Sequence, residues 1–165
     1  SRGLGDVYKR QGGAISPFNA WLQLKSLETL DLRVRQQART AMAVCDAVEN
    51  HPALNFVRYP SHKSHPQYDL AISQSEAAGT VITIDLKGGK DAAFRFLNAL
   101  EVFTISNNFA DAKSIATHPC TTTHKNVPVE QRPEVGLTDG LVRLSMGLED
   151  PQDIIDDIVA ALDAV

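Results

Sequence analysis

The ten residues Leu141-Val-Arg-Leu-Ser-Met-Gly-Leu-Glu-Asp150 constrain this 165-residue chain more than any other stretch. Alternation places Val142, Leu144 and Met146 on one face of a strand, and Arg143 and Ser145 on the other. Gly147 ends the run, and Asp150-Pro151 opens a helix with a capping carboxylate and a proline at its first position. A lone arginine among apolar residues needs an anion, because an unpaired guanidinium is costly to desolvate. Its planar fork suits a carboxylate held by two parallel hydrogen bonds. That carboxylate can belong to the chain itself, as a structural ion pair, or to a ligand; the strand alone leaves both open.

The rest of the chain alternates helices and short strands. Ser16-Pro17 opens a helical segment expected to run to about Asn50, leucine-rich at first (Leu22, Leu24, Leu27, Leu30, Leu32) and then striped with Ala38, Ala41, Cys45 and Val48. Asn55 to Tyr59 reads as a strand, with Phe56 and Arg58 on one face and Asn55, Val57 and Tyr59 on the other. Ser61 to Ser75 reads as a polar surface loop with room for a helical turn. Thr80 to Leu86 is a β-branched strand closed by Gly88-Gly89, and Lys90 to Leu100 is a helix presenting Ala93, Phe96, Leu97 and Leu100. Val102 to Ile105 is a further short strand. The last helix, from Pro151, buries Ile154, Ile155, Ile158, Val159 and Leu162. The expected fold class is α/β, of the two-layer α+β kind: a short sheet with helices on one face.

Composition excludes several classes of function. Sixteen basic and 20 acidic residues argue against a nucleic-acid binder that depends on phosphate contacts. No apolar run approaches a membrane span. Two cysteines, Cys45 and Cys120, make no disulfide framework, so a reducing cytoplasm is the expected compartment. Residues 1–11 have no clear amphipathic period and join the rest abruptly, so they are expected to be a non-native leader, with one domain over residues 12–165. The net charge of that domain is then −6, because the leader removes Arg2, Lys9, Arg10 and Asp6 from those totals.

Several motifs occur in one order: Ser16-Pro-Phe-Asn-Ala-Trp21, Leu27-Glu-Thr-Leu-Asp-Leu-Arg33, Tyr59-Pro60, His65-Pro66, Asn108-Phe-Ala-Asp-Ala-Lys-Ser114, His118-Pro119, Thr121-Thr-Thr-His124, Glu130 with Arg132, and Leu141 to Asp150. From about Gly12 to its end, the chain resembles the C-terminal domain of the cysteine and methionine metabolism enzymes that use pyridoxal 5'-phosphate (PLP). Residues 1–11 are expected to lie outside that resemblance. Asn107-Asn108, Asp111 to Ser114 and Thr121 to His124 look most like the branch that sulfhydrylates O-succinylhomoserine. Cystathionine γ-synthases and methionine or cystathionine γ-lyases are close alternatives, and a non-catalytic amino-acid-binding remnant is another.

The resemblance implies the small C-terminal domain of the aspartate-aminotransferase-type PLP fold, in a cytoplasmic enzyme of methionine biosynthesis. It implies that Arg143 clamps the α-carboxylate of an amino-acid substrate, a homoserine ester, and that backbone around Asn108 assists. It also implies a homotetrameric parent. The family's catalytic lysine forms a Schiff base with the cofactor. None of the seven lysines, at 9, 25, 63, 87, 90, 113 and 125, stands in the family's lysine motif, and no glycine-rich phosphate cradle is present. The chain is therefore expected to be a downstream part of a longer PLP enzyme, inactive alone, with no catalytic or cofactor-binding residue of its own. It departs from the family pattern at Asn108, where serine is commoner, and at Ala110, where glycine is usual and positive φ or close backbone approach is expected. Lys25-Ser26 and Ser61 are further departures, each standing where glycine is common.

His62 with His65, and His118 with Cys120 and His124, are spaced too irregularly for a closed zinc set, so no metal site is expected. Thr121-Thr-Thr123 lacks an evident acid–base partner and reads as a loop or edge strand.

Overall fold

The computed structural model describes residues 15–165. The expectation for residues 1–11 lies outside the described residues. The chain divides into two units, one ending at Arg33 and the other spanning Val34–Val165.

In the first unit, Ser16 caps α1 (Pro17–Leu27) by accepting from the Asn19 amide at 3.2 Å, with Pro17 in the first turn. The single long helix expected here is broken. Ser26 Oγ donates back to the Leu22 carbonyl at 2.9 Å, and Arg33 Nη2 donates to the Ser26 carbonyl at 2.6 Å. These side chains take carbonyls that a continuous helix would use, so the chain turns at Glu28-Thr29 and restarts as α2 (Leu30–Val48). Phe18, Trp21, Leu22, Leu24 and Leu27 are exposed.

The second unit is built on a five-stranded sheet of order β1-β2-β5-β4-β3: β1 (Leu54–Arg58), β2 (Val81–Leu86), β3 (Thr104–Ile105), β4 (Ile115–Thr117) and β5 (Leu141–Ser145). Its pairs are antiparallel except β3 with β4, which is parallel. Two helices, α4 (Gly89–Ala99) and α5 (Pro151–Asp163), pack together with α2 over one face. Asp150 caps α5 by accepting from the Gln152 amide at 2.8 Å. Val142, Leu144, Met146, Ile82, Ile84, Ala41, Val44, Phe96, Ile154 and Ile158 are all fully buried in this core. By area, burying each large aliphatic or aromatic side chain contributes roughly 1.5–3 kcal/mol before entropy is charged against it. Burial of this face fixes the register of β5, because a slip of one residue would turn Arg143 into the core.

The helical turn expected within Ser61 to Ser75 is a short helix, α3 (Tyr68–Gln74). One expectation needs correction. Asn55 does not share the buried face of Val57 and Tyr59, because a register shift between Leu54 and Phe56 in the β1–β2 pairing turns it out, where its Nδ2 donates to Asp85 Oδ2 at 2.7 Å. Of the loop or edge strand expected at Thr121, the structure forms the former: Thr121 is the last residue of a 3₁₀ turn, Pro119–Thr121. The strand β4 just before that turn was not anticipated, since three residues are too few to show a period.

Candidate functional site

The sheet face away from the helices carries Arg143. In the strand register it stands opposite Thr83 of β2 on one side and Thr117 of β4 on the other, so the three side chains form one row across three strands. Arg143 makes no ion pair with any acidic side chain among the described residues. Instead its Nη2 donates to two backbone carbonyls, Asn107 at 2.8 Å and Asn108 at 3.0 Å. The Phe109 ring lies beside it, 5.4 Å from Cζ, and is exposed. Burial pulls the Arg143 pKa below its ordinary value, yet the group remains cationic at neutral pH. Carbonyls neutralise none of this charge, and Nε and Nη1 make no hydrogen bond to the described residues. The arrangement is a fixed, partly desolvated cation with donors left to offer, which is what a carboxylate ligand requires. The structural ion pair that the strand left open is not formed among the described residues.

The sequence pointed to Arg143 and Asn108, and the fold brings them together through the Asn108 carbonyl. It missed Asn107, whose carbonyl is the nearer partner and whose Oδ1 accepts from Thr117 Oγ1 at 3.1 Å. A pair of asparagines after a short strand was the available signal, but the direction of their carbonyls is set only in three dimensions.

The loop carrying these carbonyls is fastened to the end of β5. The Ala110 amide donates to Ser145 Oγ at 2.8 Å, and the Leu148 amide to the Ala112 carbonyl at 2.8 Å. Glu149 accepts from the Ser114 amide at 2.7 Å and from its hydroxyl at 2.9 Å, while Ser114 Oγ accepts from the Gly147 amide at 2.9 Å. Ala110 has φ 59°, the left-handed conformation in which its methyl is unfavourable; it alone among the described non-glycine residues has positive φ.

The histidines and cysteines are engaged elsewhere. His62 Nε2 lies 3.3 Å from Asp46 and 3.5 Å from Glu49, and its Nδ1 lies 2.7 Å from Ser64 Oγ. Both ring nitrogens of His118 are bonded, to Thr121 Oγ1 and to the Asp139 carbonyl, each at 2.9 Å. No group of three or more possible metal ligands occurs among the described residues. Burial pushes the Cys45 thiol up to about 12 and raises Cys120 as well, so neither is a ready nucleophile.

A PLP Schiff base needs an enclosed lysine amine. All six that are described, 25, 63, 87, 90, 113 and 125, are exposed. Lys25 pairs with Glu28, Lys87 donates to the Pro52 carbonyl, and Lys90 lies over the Phe94 ring. None is enclosed as a Schiff-base amine must be to hold an aldehyde away from water. The described residues therefore do not by themselves fit a PLP site, and what they offer is one wall carrying a cation with unused donors.

The model of Cys/Met metabolism PLP-dependent enzymes matches residues 3–163, so the match begins before Gly12, the start expected from the sequence. O-succinylhomoserine sulfhydrylase of Mycobacterium tuberculosis (strain CDC 1551 / Oshkosh) is 47% identical over 160 residues, covering 94% of this chain and 39% of that protein. Cystathionine gamma synthase from Xanthomonas oryzae pv. oryzae, solved in complex with cystathionine, superposes with TM-score 0.84 at 35% identity, over 90% of this chain and 38% of that one. Cystathionine gamma-lyase from Micromonospora echinospora gives TM-score 0.87 at 31% identity, over 97% and 42%. The chain thus spans about two fifths of the length of the relatives it matches. No helix of the described residues is long and apolar enough to cross a membrane. A family match over nearly the whole chain, together with a fold shared with these enzymes, shows that the chain belongs to the Cys/Met metabolism family of PLP-dependent enzymes.

Proposed function

We propose that this chain is the substrate-facing C-terminal part of a longer, cytoplasmic, homotetrameric enzyme that replaces the succinyl group of O-succinylhomoserine with sulfide, making homocysteine. The single observation that carries the reading is the Arg143 guanidinium, fixed through Nη2 on two carbonyls with no carboxylate of the described residues paired to it. The sulfhydrylase assignment within the family is supported by the 47% identity to the M. tuberculosis protein.

The cofactor, held mainly by the rest of the longer protein, supplies the electron-withdrawing ring that acidifies the substrate Cα–H. The task of this chain is orientation. Arg143 takes the substrate α-carboxylate on its remaining donors, and the Asn107 and Asn108 carbonyls keep the guanidinium from swinging. Backbone near Asn108 borders the same carboxylate, and the Phe109 ring screens that side from water. With the carboxylate fixed, rotation about the Cα–carboxyl axis is the main freedom left to the substrate. No side chain of this chain is assigned a proton transfer.

The test is to express the full-length protein and supply sulfide with O-succinyl-L-homoserine. Homocysteine formation faster than from O-acetyl-L-homoserine is expected. Preference for cysteine as nucleophile would make the protein a cystathionine γ-synthase, and breakdown of methionine or cystathionine would make it a γ-lyase. A full-length protein without cofactor absorbance would be the non-catalytic amino-acid-binding form, and the catalytic reading would fall.

A further inference from the structure

We propose that Gln37 is a positioning residue for the carboxylate receptor: from helix α2 it fixes the loop 107–113 against the end of β5 and so sets the aim of Arg143. The inference rests on the role given to Arg143 above.

Gln37 is 3% exposed, on the α2 face that also buries Ala38, Thr40, Ala41 and Val44. A buried carboxamide on such a face must be hydrogen-bonded to be tolerated. Its nitrogen has two hydrogens, and both are used: Nε2 donates to the Asp111 carbonyl at 2.7 Å and to the Met146 carbonyl at 2.9 Å. Two converging carbonyls require the nitrogen and not the oxygen on this side, so the orientation of the amide follows from its partners.

Those two acceptors belong to different segments, and both segments lead to Arg143. Met146 is three residues along from Arg143, at the end of its own strand. Asp111 sits in the loop whose Asn107 and Asn108 carbonyls grip the guanidinium, and only Phe109 and Ala110 separate it from them. One amide group therefore references the strand that carries the cation to the loop that holds it. Ala110, inside that link, is kept in its left-handed conformation with its amide on Ser145 Oγ. Release of the Asp111 carbonyl would let Ala110 relax and carry the neighbouring carbonyls away from Arg143. Gln37 makes no hydrogen bond to Arg143, so its substitution leaves the receptor's own chemistry in place.

The experiment compares Gln37→Met, which keeps length but has no donor, with Arg143→Ala in the full-length enzyme. Gln37→Met should raise KM for O-succinyl-L-homoserine about 10-fold or more while kcat changes by less than about 3-fold, because misplacing a clamp weakens capture before it alters chemistry. Resting cofactor absorbance should be unchanged. Gln37→His returns one donor and should recover part of the KM. Independently of activity, amide hydrogen exchange at Ala110 and Leu148 should accelerate in Gln37→Met while Ile82 and Ile84 in β2 stay protected. Unchanged exchange and unchanged KM, with Arg143→Ala still impaired, would overturn the role of Gln37 and leave the receptor intact. Normal substrate capture by Arg143→Ala would remove both readings. If Gln37→Met does not fold, Gln37→His alone decides: a raised KM with the same cofactor spectrum supports the proposal, and a wild-type KM overturns it.

Discussion

Arg143 donates through Nη2 to the carbonyl of Asn107 at 2.8 Å, and Asn107 in turn accepts through Oδ1 from Thr117, the residue facing Arg143 across β4 and β5. The cation is thus braced by a ring of neutral partners, which hold its position without cancelling its charge. Replacing it with alanine in the full-length enzyme should weaken substrate capture by roughly 2–5 kcal/mol, as when one partner of a desolvated charge pair is lost. Lysine at 143 keeps the charge but not the fork, and should recover only part of the loss. Loss of cofactor with normal substrate kinetics would contradict the assigned role; the check is steady-state kinetics beside cofactor absorbance.

Ala110 occupies the left-handed region at φ 59°. A glycine there has no Cβ to conflict with the carbonyl, so Ala110→Gly should stabilise the protein by about 1 kcal/mol, partly offset by the extra entropy of the unfolded chain. The expected thermal shift is a rise of about 2–4 °C. A lower melting temperature in Ala110→Gly would show that the loop does not strain this residue.

Gly147 is confined where the loop meets β5. A Cβ added there would overlap the Ser114 amide nitrogen and the Glu149 carboxylate, both already hydrogen-bonded to each other. Gly147→Ala should therefore cost about 2 kcal/mol or more, by breaking charge-assisted bonds that are partly buried. Urea denaturation measures this, and a midpoint equal to that of wild type would mean the loop shifts freely to make room.

Alkali should destabilise the fold through two groups. Burial raises Cys45 from 9.0 to about 12 and Tyr59 from 10.0 to about 12. Both are neutral when protonated, so the folded state holds protons that the unfolded chain has released, and stability falls as pH rises from about 9 toward 12. Tyr59 also donates its hydroxyl to the Gly79 carbonyl at 2.9 Å. Tyr59→Phe should lose about 1 kcal/mol at neutral pH and show a shallower alkaline decline. Equal slopes for the variant and wild type between pH 10 and 12 would exclude Tyr59 as a contributor.

Cys45 is fully buried. Alkylation by iodoacetamide at pH 8 should be blocked in the folded protein and rapid once urea unfolds it. Labelling without denaturant would mean that α2 opens locally.

Period and punctuation were enough to locate most elements. The alternation of β5, the β-branched run of β2, and the capped apolar stripe of α5 each carry their structure locally, because propensity, pattern and burial agree. Ala110 was also legible, since a methyl at a position where glycine is usual pointed to positive φ, and φ is 59°. The break at Glu28-Thr29 was not, because it depends on Ser26 and Arg33 side chains competing for carbonyls. Neither was β4, whose three residues become a strand only between β3 and β5.

The sequence by itself determined that an arginine would stand alone on the open face of a core strand, since side-chain alternation in a buried strand permits no other arrangement. It also determined the family, because many motifs lie in one order. Only the tertiary structure decided what Arg143 meets. Residues 107 and 108 lie more than 30 positions earlier in the chain, and residue 37 more than 100. Their approach depends on sheet order and on the crossing of α2, and no local pattern encodes a carbonyl's direction. That is why an internal ion pair and a waiting receptor could not be told apart from the strand, and why the carbonyl partners of Arg143 emerge only in the folded sheet.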